Sequence, residues 1–343
     1  MSGTIGIDAL RPGDILLHRG TSFVSRGIQL FDGSPVSHAS LYLGGGKIGE
    51  AVAHGLVEND YHASFHGNEW VKAYRLAHAP ADLSPVLRVA RRYLDQGNRY
   101  GFEQIVILAL LSTTRKIKIT PVLRRLLRTL LDAAAAELSA LFRAGKEPMI
   151  CSEFVYRVYD EVDAPDPAAY AIKIPGMLPL PKEAPAALAA APMAPAISDG
   201  RGVHPESLAA LLGTAASGAW LEAPLASAAP MALAAPAAKP PSQRTLSRQL
   251  KAYLQEVEMG ESAAARQTVS LEELRAAMDR FAVALYDATA GPSPAGALAA
   301  APDPAEARSA AYAYLFRAAA DFVTPRDLYT TESLELLGTV ALH

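Results

Sequence analysis

The sequence predicts an α+β fold in which an antiparallel sheet packs against helices, extended by an alanine- and proline-rich, largely helical insertion. Three observations lead there. Residues 1–80 hold short apolar stretches separated by glycine-rich turns, amphipathic helical spacing begins near 82, and 184–240 is dominated by alanine and proline.

Taken in order, DILLHR at 14–19, ASLYLG at 39–44 and EWVKAYRL at 69–76 read as strands, bounded by turn signals such as RPGD and GGG. Strand 39–43 turning through Gly44–Gly46 gives a hairpin whose second strand is 47–52. A helix follows from Asp82 to Leu94, with Asp82 or Ser84 at its start, and a long helical stretch runs from about 102 to before Gly145. MICSEFVYRVYDE at 149–161 places Phe154, Val155, Val158 and Tyr159 on one face of a helix that begins near Cys151. YAIKI at 170–174 reads as a strand or an extended exit. Repeated proline interrupts helices, so 176–240 reads mainly as a linker, with a short helix at 205–216. Helices are expected at 244–259, 270–287 and 303–321, the second opened by a capping box of Ser270 and Glu273. The tail DFVTPRDLYTTESLELLGTVAL regains strand formers and reads as structured core.

Composition narrows the function classes. With 343 residues, 20% of them charged and 50% hydrophobic, the chain is long and apolar enough to bury at least one sizeable core. Its formal charge of -3 gives no general attraction to nucleic acid, and none is expected as a partner. A single cysteine excludes an intramolecular disulfide framework and a cysteine-cluster zinc site. His54, His62 and His66 lack a carboxylate at ligand spacing, and HASFH is not an HExxH helix, so neither a metal nor another cofactor is expected. The N-terminus shows no basic segment followed by an apolar one; the chain is expected to be cytoplasmic as synthesised, with leaderless export left open. IVILALL at 105–111 is far shorter than the ~20 apolar residues of a spanning helix.

The lone cysteine is the first candidate for chemistry. A cysteine nucleophile needs a depressed pKa, a nearby base and donors for an oxyanion, and a helix N-terminus supplies the first and part of the last. Cys151 sits at such a start. His38 opens the strand at 39–43, and the hairpin carries Glu50 onto the neighbouring strand, within cross-strand reach. His38 and Glu50 thus suit base and orienting acid for Cys151; a small buried core cysteine, a strand-capping histidine and an exposed glutamate are the alternative at this level.

The segments PGDILLHRG, FVSRGIQLFDGSPVSHASLYLGGGKIGEA, RYGFEQI and MICSEFVYRVY resemble the circularly permuted NlpC/P60 papain-like hydrolases, the YiiX/YaeF-like branch. The resemblance implies a permuted papain-like fold with Cys151 as nucleophile, His38 as base and Glu50 as the third member. It places Ser152 and Tyr100 near the oxyanion or substrate pocket, and His18, on the first strand, is a further pocket candidate. FVTPRDLYTTESLELLG resembles the segment that returns to the catalytic domain, so the expected organisation is a catalytic domain at 1–175, a linker and helical insertion at 176–320, and a returning segment at 321–343.

The implied activity is that of a cysteine amidase or peptidase acting on a peptide, a peptidoglycan stem or an N-acyl amide. A lipid ester hydrolase or acyltransferase, and a non-catalytic binding protein on the same fold, remain the alternatives, since a triad does not choose its acyl group. VLRRLLRTLL at 122–131 is a basic amphipathic helix, and Arg124, Arg125 and Arg128 are candidates for contact with an anionic membrane or a partner. Without a leader or a wall-binding repeat, a bacterial effector is one setting for such an enzyme.

Overall fold

A computed structural model describes residues 3–52, 55–96, 99–100, 126–135, 148–174, 269–289 and 322–342, with the single positions 251, 255, 311 and 315. The chain divides into two compact units, one of Met1–Gln104, Lys146–Met177 and Phe322–His343, the other of Ile105–Gly145 and Leu178–Asp321.

In the first unit a seven-stranded mixed sheet carries packed helices, an α+β architecture. Its strands are β1 (Thr4–Ile5), β2 (Ile15–Gly20), β3 (His38–Gly44), β4 (Lys47–Val52), β5 (Gly55–Asp60), β6 (Asn68–Leu76) and, after a two-stranded pair of β7 (Arg99–Tyr100) and β8 (Pro148–Met149), β9 (Leu334–Val340). The sheet order is β1-β9-β6-β2-β3-β4-β5, antiparallel except for β1 beside β9. Helices α1 (Phe23–Asp32), α2 (Tyr61–Phe65), α3 (Ser84–Gln96), α4 (Cys151–Asp160) and α5 (Pro325–Thr330) complete the unit.

The expected strands and hairpin form where the apolar runs and turns place them. Gly44, Gly45 and Gly46 all take positive φ (97°, 59° and 77°), a run that only glycine adopts without penalty, so GGG fixes the β3–β4 connection. The RPGD turn does more than reverse the chain. Arg75 of β6 donates from Nε and Nη2 to Asp14 at 2.7 Å each, and the Arg11 amide donates to the same carboxylate at 2.7 Å. Asp14 is fully buried, so this bidentate pairing compensates a charge that would otherwise be costly there.

Residues alternate between the two faces of the sheet. On one face α4 packs against β3 and β4, and a Cβ at Gly49 would meet the Phe154 ring at 3.4 Å, which is why glycine suits that strand position. The other face holds Leu16, Tyr42, Ile48, Val71 and Ala73, covered by Leu10 and by Phe65 of α2. Helix α1 is capped by Ser22, whose hydroxyl accepts from the Ser25 amide at 3.1 Å. It ends at Gly33 with φ 62°.

The tail is core, and its role is larger than its composition suggests. β9 inserts between β1 and β6 rather than adding at an edge. Before it, Thr324 and Asp327 form a capping box on α5, and the Arg326 amide donates at 2.7 Å to Asp32, a fully buried carboxylate at the end of α1. YAIKI continues from a 3-10 turn at Pro167–Tyr170 into extended chain that forms no strand.

In the second unit, residues 126–135 and Leu271–Thr289 are helical. Ser270 and Glu273 make the expected capping box: the Ser270 amide donates to Glu273 at 2.9 Å and the Glu273 amide to the Ser270 hydroxyl at 3.1 Å. Arg280 donates to Asp132 at 2.6 Å and Arg128 to Glu273 at 2.7 Å, tying the two helices together. Residues 105–145 group with this unit. The helices expected at 205–216 and, apart from positions 251, 255, 311 and 315, at 244–259 and 303–321 lie outside the described residues.

Candidate functional site

Cys151 is the first residue of α4, and His38 is the first of β3. β3 pairs with β4 so that Leu41 faces Gly49. Continuing that register sets Ser40 opposite Glu50 and leaves His38 diagonal to Glu50 on the same face, within reach of a long side chain. The consequence is direct: His38 Nε2 lies 2.7 Å from Glu50 Oε2, and Asn59 of β5 donates to the other carboxylate oxygen at 2.9 Å. A carboxylate only accepts, so the His38 proton in this bond sits on Nε2. Nδ1 is the nitrogen left for the hydrogen bond that His38 makes with Cys151.

The electrostatics follow from these contacts. Burial disfavours the Cys151 thiolate, but the charge and hydrogen bond of His38, with the amides of Ala39 and Ser152 donating to sulfur, outweigh it and lower the thiol's pKa. Burial likewise opposes charge on His38, yet Cys151 and then Glu50 raise it to about 10. Glu50 is 3% exposed and would be pushed up by burial, but hydrogen bonds from His38 and Asn59 hold it down at about 2. Each of these shifts favours the charged form of its group: thiolate, imidazolium and carboxylate.

No side chain caps α4. Its N-cap, Ile150, is apolar, so the first amides of the helix are left to the sulfur and to whatever binds beside it. Ser152 is fully buried and its hydroxyl donates to the Val323 carbonyl at 2.8 Å, so only its backbone amide serves the sulfur. Glu153, in the first turn where its charge suits the helix dipole, pairs with Arg157 at 2.6 Å. Tyr100 is set by its backbone: β7 runs parallel to β8, with Tyr100 opposite Met149, two residues before Cys151.

His18 stands directly opposite His38 across β2 and β3. It is fully buried, 0% exposed. The sequence placed it on a strand and carried no sign of how deeply it is covered there.

No protein-family model matches the chain. The chain is similar to a protein of Escherichia coli (strain K12) described as "Probable lipoprotein peptidase YaeF". The two are 25% identical over 159 residues, 46% of this chain and 57% of that protein, so the match spans little more than half of the relative's length. The similarity is to a distant NlpC/P60-like protein and supports a superfamily relationship within an α+β fold.

Asn59 is the site residue that sequence reasoning missed. GLVEND has neither a continuous apolar run nor a clean alternation to mark β5, yet β5 pairs with β4 along its whole length and brings Asn59 beside Glu50. Of the basic-helix candidates, Arg128 alone lies among the described residues. Arg128 is committed to Glu273 and Asp132, and Leu126, Leu127, Leu130 and Leu131 are buried. Arg124 and Arg125 lie outside the described residues. Among the described residues no helix is long and apolar enough to cross a membrane.

Proposed function

We propose that this protein is a cysteine hydrolase of circularly permuted papain-like architecture, cleaving an amide of a peptide, a peptidoglycan stem or an N-acyl compound through a Cys151 acyl-enzyme. The observation that carries this reading is the connected series from Cys151 at a helix N-terminus through His38 to Glu50, with His38 bonded to both. A peptide amide heads the substrate classes because the relative from Escherichia coli is described as a peptidase.

The thiolate of Cys151 attacks the carbonyl carbon, forming a C–S bond while the carbonyl electrons move to oxygen. The Cys151 amide, at the uncapped end of α4, is the donor for that oxyanion. As the intermediate collapses the C–N bond breaks, and the proton on His38 Nδ1 passes to the departing amine. The acyl-enzyme remains. His38, now neutral, takes a proton from water through Nδ1 as the water oxygen attacks the acyl carbon; the C–S bond breaks and Cys151 leaves as thiolate. Glu50 keeps the Nε2 proton in place throughout and stabilises the imidazolium, and Asn59 holds Glu50.

The test is acyl-enzyme trapping. Intact mass spectrometry of the full chain after mixing with peptide, stem-peptide and N-acyl amides should show a covalent adduct at Cys151 with at least one class, and none for C151A. Turnover of such an amide by C151A at the wild-type rate would overturn the proposal.

A further inference from the structure

His18 has no part in the steps above, yet its position is not that of an ordinary core residue. It follows Ile15, Leu16 and Leu17, all fully buried, on the strand beside His38. Its ring centroid lies 4.9 Å from that of His38 with the planes 66° apart, and 5.9 Å from the Phe65 ring on α2, inclined at 69°. The ring is therefore wedged between His38 and the apolar cover of the sheet. Nε2 lies 2.7 Å from Ser40 Oγ, while Nδ1 has no partner among the described residues. A bare lone pair is a cheaper orphan than a buried N–H, which puts the proton on Nε2, donating to Ser40.

A leucine or phenylalanine would fill this position without an orphan nitrogen, so packing does not call for histidine. What distinguishes the imidazole is a polar anchor, Ser40, combined with an uncharged aromatic ring against His38. A neutral ring inclined to a cation favours that cation through its π electrons. The anchored ring also blocks His38 from turning away from Glu50 and Cys151.

We propose that His18 is a positioning residue for His38, an uncharged ring held by Ser40 that keeps the imidazole aligned with Glu50 and Cys151 and favours its protonated form. The inference rests on the catalytic reading above. Its neutrality has a physical basis: burial first, and then the charge of His38, lower its pKa to about 3, against an opposing pull from Glu50. Among the described residues, the titratable groups facing this pair are Glu50 on β4 and Cys151 on α4; Ser40 and Phe65 add none.

The test is the pH dependence of Cys151 alkylation by iodoacetamide in the full chain, read by intact mass for wild type, H18A, H18F, S40A and H38A. The proposal expects H18A to move the alkylation midpoint upward by about one pH unit, so that the rate falls roughly tenfold well below the wild-type midpoint and less than twofold at about pH 9.5. H18F, which restores the ring, should recover most of that loss, and S40A should fall between. A midpoint for H18A within 0.2 units of wild type would overturn the proposal, as would an H18A loss equal at every pH; should H18A not fold, S40A decides by the same criteria. H38A separates the two readings: a shifted H38A profile with an unmoved H18A profile ends only the role of His18, while an unmoved H38A profile ends the catalytic reading itself.

Discussion

The Ser152 hydroxyl donates to the Val323 carbonyl at 2.8 Å, joining residues 171 positions apart. The bond ties the residue after Cys151 to the start of the returning tail, whose α5 and β9 in turn hold α1 and β6. The first turn of α4 is thus fixed by chain that arrives only after the entire second unit. Substituting S152A leaves a buried carbonyl without its donor, at a cost of about 1–3 kcal/mol. Urea unfolding should show that loss, and S152T should recover part of it.

Glu50 is expected to matter through its charge. E50Q keeps the shape but removes the anion that holds the Nε2 proton and stabilises the imidazolium, so amide turnover should fall on the order of 10²- to 10⁴-fold. N59A should cost less, roughly tenfold, the equivalent of one hydrogen bond to a charged group at about 1.5 kcal/mol. Steady-state kinetics on an amide that gives the Cys151 adduct would measure both.

The β3–β4 turn is predicted to be intolerant of side chains. A Cβ at Gly46 would sit 3.3 Å from the Tyr61 ring at φ 77°, so G46V meets both backbone strain and crowding. A loss exceeding about 1 kcal/mol is expected by chemical denaturation. G45A, with open space around its Cβ but φ 59°, should cost less.

His18 gives stability a defined acid dependence. Its folded pKa of about 3 lies below the ordinary 6.5, so between those values the unfolded chain binds the extra proton and stability falls as pH falls. The slope contributed is at most about 1.4 kcal/mol per pH unit. Glu50 adds a second decline, from its ordinary 4.5 toward about 2, because its lowered pKa stabilises the fold only while it stays ionised. H18F should flatten the profile between pH 6.5 and 4.5 and leave below it only the decline that Glu50 contributes.

How much of this was legible in the sequence depended on how local each feature is. The strand 39–43, the GGG turn and the strand 47–52 are contiguous, so the reach from His38 to Glu50 follows from pattern and turn chemistry. Cys151 at a helix start is equally local. Asn59 escaped because β5, with exposed positions alternating only from Val57 on, takes its strand state from pairing with β4 rather than from its own residues. The Ser152–Val323 bond and the insertion of β9 between β1 and β6 depend on contacts between distant segments, which periodicity does not carry. His18 shows the same limit: its strand was readable, its burial was not. Within 126–135, the ion pairs of Arg128 with Glu273 and Asp132 with Arg280 join residues far apart in sequence, and no local signal marked those partners.

The most direct measurement of the central claim is the pH profile of Cys151 alkylation in the full chain, wild type against H38A. The thiolate–imidazolium pair predicts a wild-type midpoint well below the ordinary thiol value of about 8.5, and an H38A midpoint that returns toward or above it. Coincident profiles with an ordinary midpoint in both proteins would contradict the account.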